Sequence, residues 1–109
     1  MTEIFNRQAL LQRVDGDEEL LEEMVTIFLE YTPQQLDEIR QALDLGDAPG
    51  LQGKAHSVKG AAASISAEAL QQAAGALEAA GRNRDLEQAA IQLKALAQEF
   101  SRFQAAMAG

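Results

Sequence analysis

The sequence predicts an all-α fold, an antiparallel up-down-up-down four-helix bundle with a short additional helix at the N-terminus. Three observations carry this. Ala, Leu, Gln and Glu, all good helix formers, dominate the chain, and β-branched residues are few. Apolar residues recur at helical spacing through four long segments. The connections between those segments are short, and short connections make sequential helices antiparallel.

The first helix is short, about Asn6 to Val14. Asn6 is its expected N-cap and Asp15-Gly16 its stop, with Ile4 and Phe5 ahead of it as anchors onto the bundle. The second runs from Asp17 to about Leu45. Asp17 caps it, and Glu18, Glu19, Glu22 and Glu23 suit the positive helix start. Leu20, Leu21, Met24, Val25, Phe28, Ile39 and Leu43 form its apolar stripe. Pro33 removes a backbone donor and crowds the preceding turn, so a kink or break near Thr32-Pro33 is expected. Gly46 ends it. The third helix starts after Asp47, tolerates Pro49 in its first turn and runs to about Ile65. The fourth starts with Ser66 as cap, although Ala69 stands where a capping box needs Glu or Gln, and ends near Ala80-Gly81. The fifth runs from about Arg84 to Met107, with Leu86, Ala89, Ala90, Leu93, Leu96, Ala97, Phe100 and Phe103 on one stripe.

At 109 residues the chain fits a single domain over residues 1–109. A chain of this size buries roughly two-thirds of its unfolded surface, enough for a core without metal or disulfide staples. Nine basic against 17 acidic residues give a net charge of −8, which argues against a nucleic-acid-binding surface. The absence of cysteine excludes a disulfide scaffold and a thiolate nucleophile, and fits a reducing compartment. No stretch approaches the roughly 18 apolar residues of a membrane span. The start, Met1-Thr2-Glu3-Ile4-Phe5, has neither a basic region nor an apolar signal core. A soluble, cytoplasmic monomer without membrane insertion is expected.

His56 is the only histidine, and imidazole is the side chain whose ordinary titration lies near neutral pH. At about 100° per residue, Leu51, Ala55, Val58, Ala62 and Ile65 define the buried stripe of the third helix, and His56 falls roughly 140° from its middle. The ring therefore faces water, or water beside a neighbouring helix. Gly53 and Gly60 share its face. Each costs about 1 kcal/mol relative to Ala in a helix interior, so two of them beside an exposed imidazole point to another surface coming close. Ala63 continues this strip of small residues, and the small apolar surface around Gly60, Ala61 and Ala63 is the candidate for docking. Lys59 is one turn along from His56, in position to pair with an anion on the ring. Residues 50–84 carry four basic and two acidic side chains, whereas residues 1–49 carry three basic and 12 acidic ones. The imidazole thus sits in the one positive segment of an acidic chain, a setting that suits a phosphoryl group. Gln71, Gly75, Glu78 and Arg82 share one flank of the fourth helix.

The run His56-Ser57-Val58-Lys59-Gly60-Ala61-Ala62 resembles the signature of histidine-containing phosphotransfer (HPt) domains: His, any residue, an aliphatic, Lys, Gly, then two small residues. Phe5 to Leu11, Gly16 to Leu21, Phe28-Leu29-Glu30, Gly46-Asp47 and the closing helix are also similar to that family. The resemblance implies that His56 carries a phosphoryl group on Nε2, that Lys59 helps neutralise it and that Gly60 leaves room for the partner. It implies that Glu78, at a family Gln/Glu position, orients the ring through Nδ1, and that Arg82 stands at the docking rim. The implied partners are receiver domains of a hybrid histidine kinase or a response regulator, which bring Mg²⁺; the chain would hold no cofactor or metal of its own. Two positions depart from the family pattern: Ser66, where many members have Gly, and Ser64, where many have Asn.

A non-catalytic adaptor bundle that binds a receiver or another partner without phosphorylation is the alternative. An autonomous kinase or metal hydrolase is disfavoured by the lack of a Gly-rich nucleotide loop and of an HExxH motif, and a single His without Cys is thin for a transition metal. Phe28, Phe100 and Phe103 are expected in the core.

Overall fold

In the computed structural model, which describes residues 5–108, five helices follow one another: α1 (Arg7–Arg13), α2 (Glu18–Asp44), α3 (Ala48–Ser64), α4 (Glu68–Arg82) and α5 (Leu86–Ala108). No strand occurs among the described residues. α2 packs on α3 and α5, and α4 on α3 and α5, closing the four long helices into a ring. The expected bundle with its short extra helix is the observed fold.

Four helix starts are fixed by side-chain caps. Asn6 Oδ1 accepts from Ala9 N, Asp17 Oδ1 from Leu20 N, Asp47 Oδ1 from Gly50 N and Asp85 Oδ1 from Gln88 N, each at 3.0 Å. The fourth of these corrects the expected start of α5, which lies at Leu86 and not near Arg84. Ser66 is a second correction. The N-cap of α4 is Ala67, which makes no side-chain cap bond, because Ser66 is occupied in ending α3. It takes a left-handed φ of 60°, and its N–H donates to Ala63 O while Ala67 N donates to Ala62 O. That pair of bonds is a Schellman motif.

The ends of α1, α2 and α4 repeat it, with Asp15, Gly46 and Arg84 at the left-handed position. Of these four stops only Gly46 is a glycine. Gly81, read as a stop in the sequence, has another purpose: α4 continues to Arg82, and a Cβ at Gly81 would stand 2.9 Å from Leu51 Cδ2 and 3.1 Å from Gln52 Cα. The bare backbone lets α4 press against α3. α2 runs unbroken from Glu18 to Asp44 through Pro33.

The core is built around aromatic edges. Phe28 meets Phe103 and Phe100 edge-on, with ring centroids 5.4 and 6.0 Å apart, and Phe5 meets Phe103 at 5.7 Å; all three expected core phenylalanines are buried. Ile4 lies outside the described residues. Two stripe residues depart from expectation: Leu20 is 40% exposed and Ala90 faces solvent, whereas Leu36 and Thr32 are buried on α2. α1 lies against the α3–α4 turn. Its Arg13 guanidinium donates to Ala63 O at 2.8 Å, and Asn6 N donates to Ser66 O at 3.1 Å. The C-terminal end of the histidine-bearing helix is thereby tied down.

Candidate functional site

All five stripe residues of α3, Leu51, Ala55, Val58, Ala62 and Ile65, are buried, and this rotates His56 outward. Its side chain is 66% exposed. Gly53 and Gly60 are exposed on the same face, and a Cβ at either would meet nothing within 4 Å. The space they leave is open to an incoming molecule. Ala63 is half-buried at the end of this strip, with its carbonyl held by Arg13.

The ring is fixed from α4. His56 Nδ1 lies 2.9 Å from Glu78 Oε2. Glu78 is a buried carboxylate at 6% exposure, and besides the ring it is held by two cationic side chains. Lys59 Nζ meets Oε1 at 2.5 Å, and Arg82 Nη2 meets Oε2 at 3.4 Å beside the imidazole. The Lys59 ammonium is the largest influence holding this carboxyl below the ordinary value of 4.5; burial opposes it, and His56 adds to the lowering. Gly75, one turn before Glu78, lies beside the lysine stem: a Cβ there would sit 3.5 Å from Lys59 Cδ, in ordinary contact.

This arrangement has a direct chemical consequence. An ionised carboxylate only accepts hydrogen bonds, so Nδ1 carries the proton and donates it to Glu78. In the neutral ring the lone pair then lies on Nε2, on the solvent side. An exposed nucleophilic nitrogen, a buried counter-charge behind it and two cations beside it form one unit. The sequence places these residue types on facing helices; their convergence on a single carboxylate is visible only in three dimensions. Lys59 is found paired with Glu78 in this state, and Arg82, 58% exposed, is tethered to the same group. Among the described residues, no group of three or more His, Cys, Asp or Glu side chains is placed to hold a metal ion, and no helix is long and apolar enough to cross a membrane.

On the opposite flank of α3 a groove of about 290 Å³ runs against α2. Ala61 lines it, as do Met24, Ile27 and Tyr31, and the last two are 54% and 62% exposed. Their i, i+4 spacing off the main α2 stripe was the available sequence signal for this second apolar face, one that the core pattern overshadows. Lys54, on this flank, pairs with Glu38 of α2 at 3.3 Å.

The family model described as the Hpt domain matches residues 23–106. No curated protein matches the sequence. Among solved structures, the chain is similar to histidine-containing phosphotransfer protein B (HptB) from Pseudomonas aeruginosa PAO1, with a TM-score of 0.87 and 23% identity over 96% of this chain and 91% of that one. It is also similar to the HPT domain of a sensor hybrid histidine kinase from Shewanella, with a TM-score of 0.81 and 20% identity over 94% of this chain and 89% of that one.

Proposed function

Because the chain belongs to the Hpt domain family, we propose that it is a phosphoryl carrier of a phosphorelay, accepting a phosphoryl group on His56 from the aspartyl phosphate of a receiver domain and passing it to another receiver. The observation that carries this reading is the outward Nε2 of a ring whose Nδ1–H is held by a buried carboxylate.

The step balances without an added acid or base. The Nε2 lone pair attacks phosphorus in line; the N–P bond forms as the P–O bond to the aspartyl carboxyl breaks. The receiver regains a carboxylate. The ring keeps its Nδ1 proton and becomes a phosphoimidazolium, whose positive charge develops 2.9 Å from Glu78 Oε2. Glu78 therefore interacts more strongly with the product-like ring than with the resting one, which is the condition for lowering a barrier. Lys59 helps to neutralise the phosphoryl oxygens, and the bare backbone at Gly53 and Gly60 lets the receiver approach. Ala63, and the groove lined by Ala61, Ile27 and Tyr31, offer apolar surface for the receiver to bury, with Arg82 at the opposite rim. Mg²⁺ belongs to the receiver in this reading, and the carrier has no kinase activity of its own. Positioning and charge compensation are then the whole of its task.

The test is transfer of label from phosphorylated receivers of the same source. Wild-type chain is expected to take up an acid-labile label, and His56→Gln to take up none. Label that survives the substitution overturns the reading. Receiver binding that His56→Ala leaves intact, with no label on the wild type, identifies a non-catalytic adaptor instead.

A further inference from the structure

Glu78 serves two cations besides the ring, and the two are not equivalent. Lys59 holds Oε1; Arg82 reaches Oε2, the same oxygen that accepts the Nδ1 proton. In the resting state either cation suffices as a counter-charge for the buried carboxylate. A phosphoryl group on Nε2 changes that balance. It brings about two negative charges beside a lysine one helical turn away, and a flexible ammonium with three donors turns toward the stronger anion. Glu78 stays buried and must stay ionised to hold the now cationic ring, and a buried charge without a partner is strongly unfavourable.

From this we infer that Arg82 is a positioning residue that takes over Glu78 when Lys59 is drawn to the phosphoryl group, so that the loaded ring keeps its orientation. The inference rests on the carrier reading of His56 and extends it to a hand-over between two cations. The geometry suits the role. Arg82 is fixed one turn after Glu78 on the same helix, so its reach does not depend on how α3 and α4 move. Its guanidinium is always charged. The other charged pair near this face, Lys54–Glu38, lies on the α2 flank and takes no part. With Arg82 in place, a ring that keeps its proton, a dianionic phosphoryl group, Glu78 and the two basic side chains sum to neutrality. Without it, the loaded cluster is left with a net negative charge.

The distinguishing feature is dependence on state. The full chain is loaded chemically with phosphoramidate, which needs no receiver, and the solvent exchange of the His56 Nδ1 proton is followed by NMR. In resting Arg82→Gln the exchange rate is expected to match wild type, because Lys59 still holds Glu78. In the phosphorylated variant it is expected to rise about tenfold, the size of one charge-assisted hydrogen bond, and Arg82→Lys should recover most of the loss. Wild-type behaviour of Arg82→Gln in both states reduces Arg82 to a surface ion pair and overturns the inference. An equal rise in both states also overturns it, since Arg82 would then hold the ring at all times with no hand-over. Should phosphoramidate and the receivers alike leave wild-type His56 unlabelled, the carrier reading fails, and this inference falls with it.

Discussion

Glu78 shows how much chemistry one residue can acquire from its surroundings. A carboxylate on an exposed helix face is ordinary surface; here burial would make it costly, and Lys59, His56 and Arg82 offset the cost. Its lowered pKa is therefore a statement about stability. A carboxyl with a folded pKa below its unfolded value contributes stability above the unfolded value and loses it as pH falls through the folded one. Urea unfolding of wild type and Glu78→Gln should thus differ most near pH 7, and the gap should close progressively below pH 4.5. A gap that is constant down to pH 3 contradicts the ionised, paired carboxylate. The same residue should govern rate. Glu78→Gln still offers an acceptor to Nδ1, whereas Glu78→Ala leaves the ring free to turn. Transfer from a phosphorylated receiver should fall in the Ala variant by about 10²-fold, the usual penalty for a misplaced reacting group, and by distinctly less in Gln. Equal rates in all three proteins exclude an orienting role.

At the scale of the helices, the stops are where sequence and structure part. The caps at Asn6, Asp17 and Asp47 were legible because a short acceptor ahead of an amphipathic run has a local cause. Asp15-Gly16 was legible as the stop of α1, but the stops at Ser66 and Arg84 were not, because the left-handed φ at Asp15, Ser66 and Arg84, none of them glycine, is imposed by the turn that tertiary packing requires. Each of these three residues bears a conformational cost that glycine avoids. Ser66→Gly and Arg84→Gly are each expected to stabilise the fold by about 1 kcal/mol in denaturant melts; a loss of stability in both shows the turn is not strained. The glycines inside helices sort by what their missing Cβ faces. Gly81→Ala meets the Leu51 side chain and crowds the α3 backbone at Gln52, and should cost about 1–3 kcal/mol. Gly60→Ala points into open space and should stabilise the free protein by about 0.5–1 kcal/mol, while slowing label uptake from a receiver. Uptake unchanged in Gly60→Ala means that no partner comes close at that face. The helical period placed His56 on the outside because the period belongs to one helix. It could not reveal that Glu78 is buried, since that depends on how α4 meets α3.

For the whole molecule, the face that carries His56 and the aromatic cluster are parts of one packed object. Both α3 and α4 bury their inner faces in a hydrophobic cluster that includes Phe28, Phe100 and Phe103, and the segment leading into α1 links the far end of α3 to that cluster, through Asn6 N on Ser66 O and Phe5 against Phe103. The His56–Glu78 bond spans two helices whose separation this core sets, so it should persist only while the core does. Phe103 is fully buried, and Phe103→Ala is expected to cost about 3–5 kcal/mol. For a chain of this length each 1 kcal/mol moves the melting temperature by about 4–8 °C, so the variant should melt roughly 20 °C lower. In both proteins the His56 Nδ1–H signature should vanish together with helical circular dichroism, because the site has no stability apart from the bundle. A site signal lost well below the helical transition would mean that α3 and α4 separate locally. The proposed hand-over of Glu78 between Lys59 and Arg82 would then occur in a loosened helix pair, not on the rigid support that the proposed in-line attack by Nε2 requires.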